Sequence, residues 1–164
     1  MHRRAVLPAV LLAAALTGAA ACSAPEPTGA SGAAPATQLA EPDHTVLSAN
    51  STAKLGTVVI DGLGWTLYRF DADSAQPPKS ACTGSCAEEW PPVLMQAGAP
   101  TYEGVDPSVV GTVARDDGRQ QVTIGGWPVY RHASDSQPGA VDGQGAQGQW
   151  FAVTPSGGKA SPQS

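Results

Sequence analysis

Few side chains in this sequence are equipped for chemistry, and their spacing says which chemistry. Cys82 and Cys86 flank Gly84 in a C-x-x-x-C arrangement. This is one residue longer than a C-x-x-C redox motif, and no second cysteine pair or histidine cluster completes a zinc site. A structural disulfide is expected in an oxidising compartment, with a regulated or metal-binding thiol pair as the alternative. Asp71, Asp73, Asp135 and Asp142 could offer oxygens to a cation such as calcium, but Asp71-x-Asp73 lacks the glycine and distal glutamate of an EF-hand loop. Asp73 and Asp135 each precede a serine, with proline soon after. There a carboxylate can instead accept the backbone amides of the following turn, and this is the reading we adopt.

A transition metal or haem would have to use His132, with Met95 or His44 as a second ligand, and a lone histidine at an aromatic position of a repeat makes a poor site. No cofactor is therefore expected; a cation or haem is the alternative. Gly-x-Ser-x-Gly is absent, His132 is the one candidate base beyond the N-terminal region, and the adjacent acids Glu88-Glu89 and Asp116-Asp117 read as solvated. The chain is not expected to be an enzyme, and a cell-wall hydrolase is the outside alternative. Trp65, Trp90, Trp127 and Trp150 could stack on wall sugars, but their matched placement suggests core.

The third cysteine, Cys22, has a different setting. Residues 1–21 carry Arg3 and Arg4, then an apolar run from Ala5 to Leu16, then small residues, the three parts of a secretory signal peptide. The run is too short for a transmembrane helix. Thr17-Gly18-Ala19-Ala20-Ala21-Cys22 resembles a lipobox, in which the cysteine accepts a lipid, although Ala19 replaces the usual branched aliphatic residue. Expected is a protein anchored to the outer face of the cytoplasmic membrane through Cys22, exported by the general or the twin-arginine route. Of 9 basic residues Arg3 and Arg4 leave with the signal, so 7 face 14 acidic ones. That balance argues against nucleic acid as a partner and leaves wall polymer or envelope proteins.

These groups must be positioned by a chain of 164 residues with 19 glycines and 15 prolines, which points to turns and short strands. Residues 22–52 are rich in Ala, Pro, Gly, Ser and Thr and read as a disordered tether, and 157–164 as a flexible tail. Between them, 53–156 contains a duplication. Gly64-Trp65-Thr66-Leu67-Tyr68-Arg69-Phe70-Asp71-Ala72-Asp73-Ser74 aligns without gaps, at an offset of 62, with Gly126-Trp127-Pro128-Val129-Tyr130-Arg131-His132-Ala133-Ser134-Asp135-Ser136. Trp90, followed by Pro-Pro-Val, and Trp150, followed by Phe-Ala-Val, form a second echo. Two tandem repeats, about 53–97 and 109–156, are expected to pack into one all-β antiparallel domain, since neither is large enough to be stable alone.

Within each repeat the pattern gives hairpins. Thr57 to Ile60 returns through Asp61-Gly62-Leu63-Gly64 as Trp65 to Phe70, and Val110 to Ala114, Gln120 to Ile124 and Trp127 to Arg131 make a meander. Two-residue periodicity puts Trp65, Leu67 and Arg69 on one face and Tyr68 and Phe70 on the other, so both faces are covered. Pro128 lacks an amide hydrogen, which predicts an edge strand or an irregular start. Short helical turns are expected at Asp106-Pro107-Ser108 and from Ser85 to Trp90.

Tyr68-Arg69-Phe70-Asp71-Ala72-Asp73, the stretch Cys82-Thr83-Gly84-Ser85-Cys86-Ala87-Glu88-Glu89-Trp90-Pro91-Pro92, Gly126-Trp127-Pro128-Val129-Tyr130 and Gly148-Gln149-Trp150-Phe151-Ala152-Val153-Thr154-Pro155 together resemble a bacterial family of predicted lipoproteins with a Tyr-x-(Phe/Trp/Tyr)-x-x-Asp motif, a secreted repeat of unknown function. In the second copy His132 stands where that motif has an aromatic residue. The resemblance implies a lipoprotein with tandem repeats and brings no catalytic activity with it.

Overall fold

The computed structural model describes residues 42–163. The signal peptide, Cys22 and most of the expected tether lie outside the described residues. The described chain is mostly β: β1 (Val46–Thr52), β2 (Gly56–Asp61), β3 (Tyr68–Phe70), β4 (Ser74–Ala75), β5 (Pro78–Lys79), the single-turn helix α1 (Ser85–Glu89), β6 (Thr101–Glu103), a 3-10 turn at Pro107–Val109, β7 (Val110–Ala114), β8 (Gln120–Ile124), β9 (Trp127–Tyr130), a 3-10 turn at Ala146–Gly148 and β10 (Trp150–Ala152). Both expected helical turns form, and the Asp106 carboxylate caps the first 3-10 turn by accepting the amide of Ser108 at 2.9 Å.

Two sheets carry the fold, one in the order β2-β1-β6 and one in the order β10-β3-β9-β8-β7, and a β4-β5 ribbon completes the set. The duplication is visible in the pairing. In the first repeat β1 pairs antiparallel with β2, Leu47 opposite Asp61; in the second β7 pairs antiparallel with β8, Val110 opposite Ile124. The repeats meet where β3 pairs antiparallel with β9, Tyr68 opposite Tyr130.

Each repeat is completed by a strand from the other. The Val59 amide donates to the Val153 carbonyl at 2.9 Å and the Val153 amide to Leu67 at 2.9 Å, so the segment after Trp150 closes the hairpin of the first repeat. Likewise Val122 donates to Val93 at 2.8 Å and Val93 to Val129 at 3.0 Å, so the segment after Trp90 closes the second. Such exchange removes the unpaired sheet edges that an isolated half would expose. Both faces of β3 and β9 are largely covered, because a core lies on each side of them. One core gathers Tyr68, Tyr130, Trp90 and Trp150, the other Leu67, Val129, Val122 and Ile124.

Three expectations are corrected. The tether does not run to residue 52: Val46–Thr52 is a strand, and Leu47 is fully buried between β2 and the parallel strand β6. The strand that covers its outer side, β6, lies far away in sequence, so local composition could not reveal the burial. Nor are residues 157–163 a loose tail, because Ala160 is buried and the amide of Gln163 donates to Lys54 at 2.8 Å. Pro128 lies on an interior strand, opposite Thr123 and near the start of β9, where a missing donor interrupts little of the ladder. The turn before it needs glycine. Gly125 and Gly126 have φ of 59° and 80°, and a Cβ on Gly126 would stand 2.5 Å from the Ala75 carbonyl.

Candidate functional site

The motif residues converge on the seam between the repeats. β3 delivers Tyr68 and Phe70, β9 delivers Tyr130, and the exchanged segments deliver Trp90 and Trp150. The two indoles stack face to face, 3.9 Å between centroids and 4° between planes. Phe70 stacks on the outer face of Trp150 at 4.1 Å, and His132, its equivalent 62 residues on, stacks on Trp90 at 4.2 Å. The result is a column of four rings. Tyr68 meets Trp90 edge-on at 5.5 Å, and Tyr130 meets Trp150 edge-on at 5.2 Å. Offset and edge-to-face contacts of this kind add to area burial.

Around the column the tyrosine hydroxyls cross over. Tyr68 donates to Asp135 Oδ2 at 2.9 Å, and Tyr130 donates to Asp73 Oδ2 at 2.8 Å. The other carboxylate oxygen of each aspartate accepts a backbone amide, Ala81 on Asp73 at 2.7 Å and Asp142 on Asp135 at 3.1 Å. Each aspartate thus accepts an amide from the loop that follows it, 8 residues on at Asp73 and 7 at Asp135. His132 Nδ1 lies 3.3 Å from Asp135 Oδ1. Burial, then the partner carboxylate, pushes both phenols well above the ordinary tyrosine range. Burial also raises the Asp73 carboxyl, against the bonds it accepts from Ala81 and Tyr130.

A buried cation missing from the sequence reading completes the first-repeat side. Arg115, whose side chain is 7% exposed, donates from Nη1 to Ser80 at 2.9 Å and to Gln121 at 2.6 Å, and from Nη2 to the Cys82 carbonyl at 3.0 Å. Ser80 meets the Tyr130 hydroxyl at 2.8 Å. Tyr130 spends its proton on Asp73, so Ser80 is the donor in that contact. The chain of bonds therefore runs from Arg115 through Ser80 and Tyr130 to Asp73. In the sequence Arg115 directly follows the expected strand Val110 to Ala114, and nothing local marks it as buried.

The remaining candidates have other partners. Cys82 and Cys86 form a disulfide. Asp71 meets Lys159 at 2.5 Å and Arg69 at 3.8 Å. The Arg69 guanidinium lies 3.3 Å over the Trp127 ring, while Trp65 is half-buried. His44 contacts Asp43, and Met95 Sδ accepts the Thr45 hydroxyl at 3.3 Å. Among the described residues no group of three or more His, Cys, Asp or Glu side chains is arranged to hold a metal ion. Trp90 and Trp150 are each 1% exposed and present no face to a sugar.

Two concavities flank the seam at equivalent places in the repeats. One, of about 480 Å³, lies between residues 78–87 and 113–119; the other, of about 510 Å³, lies between 136–142 and 50–54. Their walls correspond under the offsets that relate the repeats, but their chemistry differs. The first holds Lys79, Arg115 and Arg119 against Asp116 and Asp117, the second only Lys54 against Asp142.

Fold and seam define an all-β module of two interlocked tandem repeats whose motif residues clamp one repeat to the other. A family model described as a secreted repeat of unknown function matches residues 50–94 and again 111–154, and the chain belongs to that family. No curated protein and no solved structure matches it significantly. Membership is consistent with a place outside the cytoplasm, and among the described residues no helix is long and apolar enough to cross a membrane.

Proposed function

We propose that the protein is a lipid-anchored, non-catalytic binding module of the cell envelope, held at the outer face of the cytoplasmic membrane through Cys22. The observation that supports this reading is where the motif's reactive groups are spent. Both tyrosine hydroxyls, both motif aspartates and the imidazole serve the seam between the repeats. Recognition then falls to sheet edges and to the concavities beside them, which the rigid seam holds in fixed geometry. The N-terminal sequence supports the anchor, since a signal-like segment ends at Cys22.

Metabolic labelling with a clickable fatty acid in the native host tests the anchor. The parent protein should take up label and fractionate with membranes, and Cys22→Ser should lose the label and appear in the medium. Label retained on the serine variant would overturn the reading. Elemental analysis and an absorption spectrum of the same purified protein test its non-cofactor part, which stoichiometric metal or a Soret band would contradict.

A further inference from the structure

Internal symmetry exposes a vacancy in the second repeat. β1 and β7 are equivalent strands at an offset of 63, with identical registers against β2 and β8. On its other side β1 is covered by β6, which adds in parallel with Val46 opposite Thr101 and Ser48 opposite Glu103. β7 has no such cover among the described residues and ends its sheet. The Val109 carbonyl accepts the Gly125 amide from the β8 side at 2.7 Å. By strand alternation the carbonyls of Val110, Thr112 and Ala114 and the amides of Thr112 and Ala114 face outward, while the Val110 amide donates to the Pro107 carbonyl.

The vacant edge leads into the more cationic concavity. Val113 and Ala114, at the C-terminal end of β7, form part of its wall. Lys79 is exposed and has no ion-pair partner among the described residues. The Nε of the buried Arg115 side chain has no hydrogen-bond partner among the described residues and lies 4.0 Å from an Asp117 carboxylate oxygen. Asp117 in turn is held by Arg119 at 2.6 Å. A strand laid parallel to β7 points its C-terminal end at these cations. In the first repeat the strand in that place ends on a carboxylate, Glu103, which accepts the Ser48 hydroxyl at 3.3 Å.

We infer that the free edge of β7 and the concavity at its C-terminal end form a docking groove for an extended, acid-terminated segment of a partner polypeptide, which adds as a parallel strand in the place β6 takes on β1. Backbone pairing supplies the affinity, and the cationic end selects the carboxylate. This rests on the binding-module reading above but not on the anchor.

The test uses the full chain in detergent and, as probe, a synthetic peptide copying residues 99–104 with a free C-terminal carboxylate. The covalently tethered β6 keeps its own slot against a peptide in solution, because its effective concentration is far higher. Saturable shifts are expected at the amides of Thr112 and Ala114, the two free outward donors of β7. Thr112→Pro, which removes an outward donor and spares the ladder to β8, should abolish them. Lys79→Glu, at an exposed position, should weaken binding roughly tenfold, as should a peptide with glutamine for glutamate and an amidated end. Shifts confined to β1 and β6, affinity indifferent to Lys79→Glu and to the peptide's charge, or β7 shifts caused by self-association of the protein would each overturn the inference. Loss of peptide binding with fatty-acid label intact removes this groove and leaves the anchor standing, whereas loss of label with peptide binding intact does the reverse.

Discussion

Tyr68 of the first repeat gives its hydroxyl proton to Asp135 of the second at 2.9 Å, and Tyr130 of the second gives its own to Asp73 of the first at 2.8 Å. The two tyrosines stand opposite each other where β3 meets β9. Each therefore reaches across the seam, and the bonds fasten two similar halves that have no covalent link beyond the chain between them. The aspartates also hold the turns that follow them, so one carboxylate orders a local corner and the long-range contact together.

Removing one hydroxyl should loosen the seam without emptying it. Tyr68→Phe and Tyr130→Phe each leave a buried carboxylate short of a donor, and each should cost about 1–3 kcal/mol in urea unfolding at unchanged m. A cycle of Tyr68→Phe with Asp135→Asn should show a coupling of about 0.5–3 kcal/mol. Additive effects would mean that the contact contributes nothing specific.

Alkaline titration reads the same bonds. Both phenols are raised in the folded protein, so the native state keeps protons that the unfolded state gives up above pH about 10. Their contribution is complete below that pH and is lost as pH rises through it, by about 1.4 kcal/mol per pH unit for each tyrosine. Phenolate absorbance from Tyr68 and Tyr130 should appear together with unfolding, and either phenylalanine variant should halve the slope. Full ionisation with near-ultraviolet circular dichroism intact would contradict the burial argument.

His132 holds the place that Phe70 holds in the other repeat, which makes its exchange informative. His132→Phe keeps the stack on Trp90 and gives up one long contact of 3.3 Å to Asp135. Its effect on the thermal midpoint should correspond to less than about 1.5 kcal/mol. Trp150→Ala removes the indole that touches Phe70, Trp90 and Tyr130, and should cost about 3–5 kcal/mol. Equal losses from the two variants would point to a role for the imidazole beyond packing.

Gly143 lies under the column. A Cβ there would stand 2.8 Å from Trp90 and 2.9 Å from Tyr68, both ring atoms held on every side. Gly143→Ala should therefore destabilise by about 1–3 kcal/mol. Gly84→Ser, where a Cβ meets nothing within 4 Å but φ is 58°, separates backbone strain from crowding. A neutral Gly143→Ala would show that the column yields.

Taken alone, the sequence determined the units: hairpins from alternating β-branched residues and glycine turns, a duplication from the Gly-Trp-x-x-Tyr-Arg echo, and a cysteine pair at the spacing of a short loop. Those signals are local, or compare the chain with itself. Which copy each element would pair with is a different kind of information, because two similar halves offer their strands and hydroxyls equivalent partners at home and across the seam. Tertiary structure decided for exchange, sending the Trp90 segment to the second repeat and the Trp150 segment to the first. It also buried Arg115 beneath Ser80 and made a strand of Val46–Thr52. The exchange and the Arg115 contact with Ser80 depend on partners tens of residues away, and β1, though β2 follows it at once, is covered on its other side by the distant β6; cover by a distant partner leaves no trace in local composition or period.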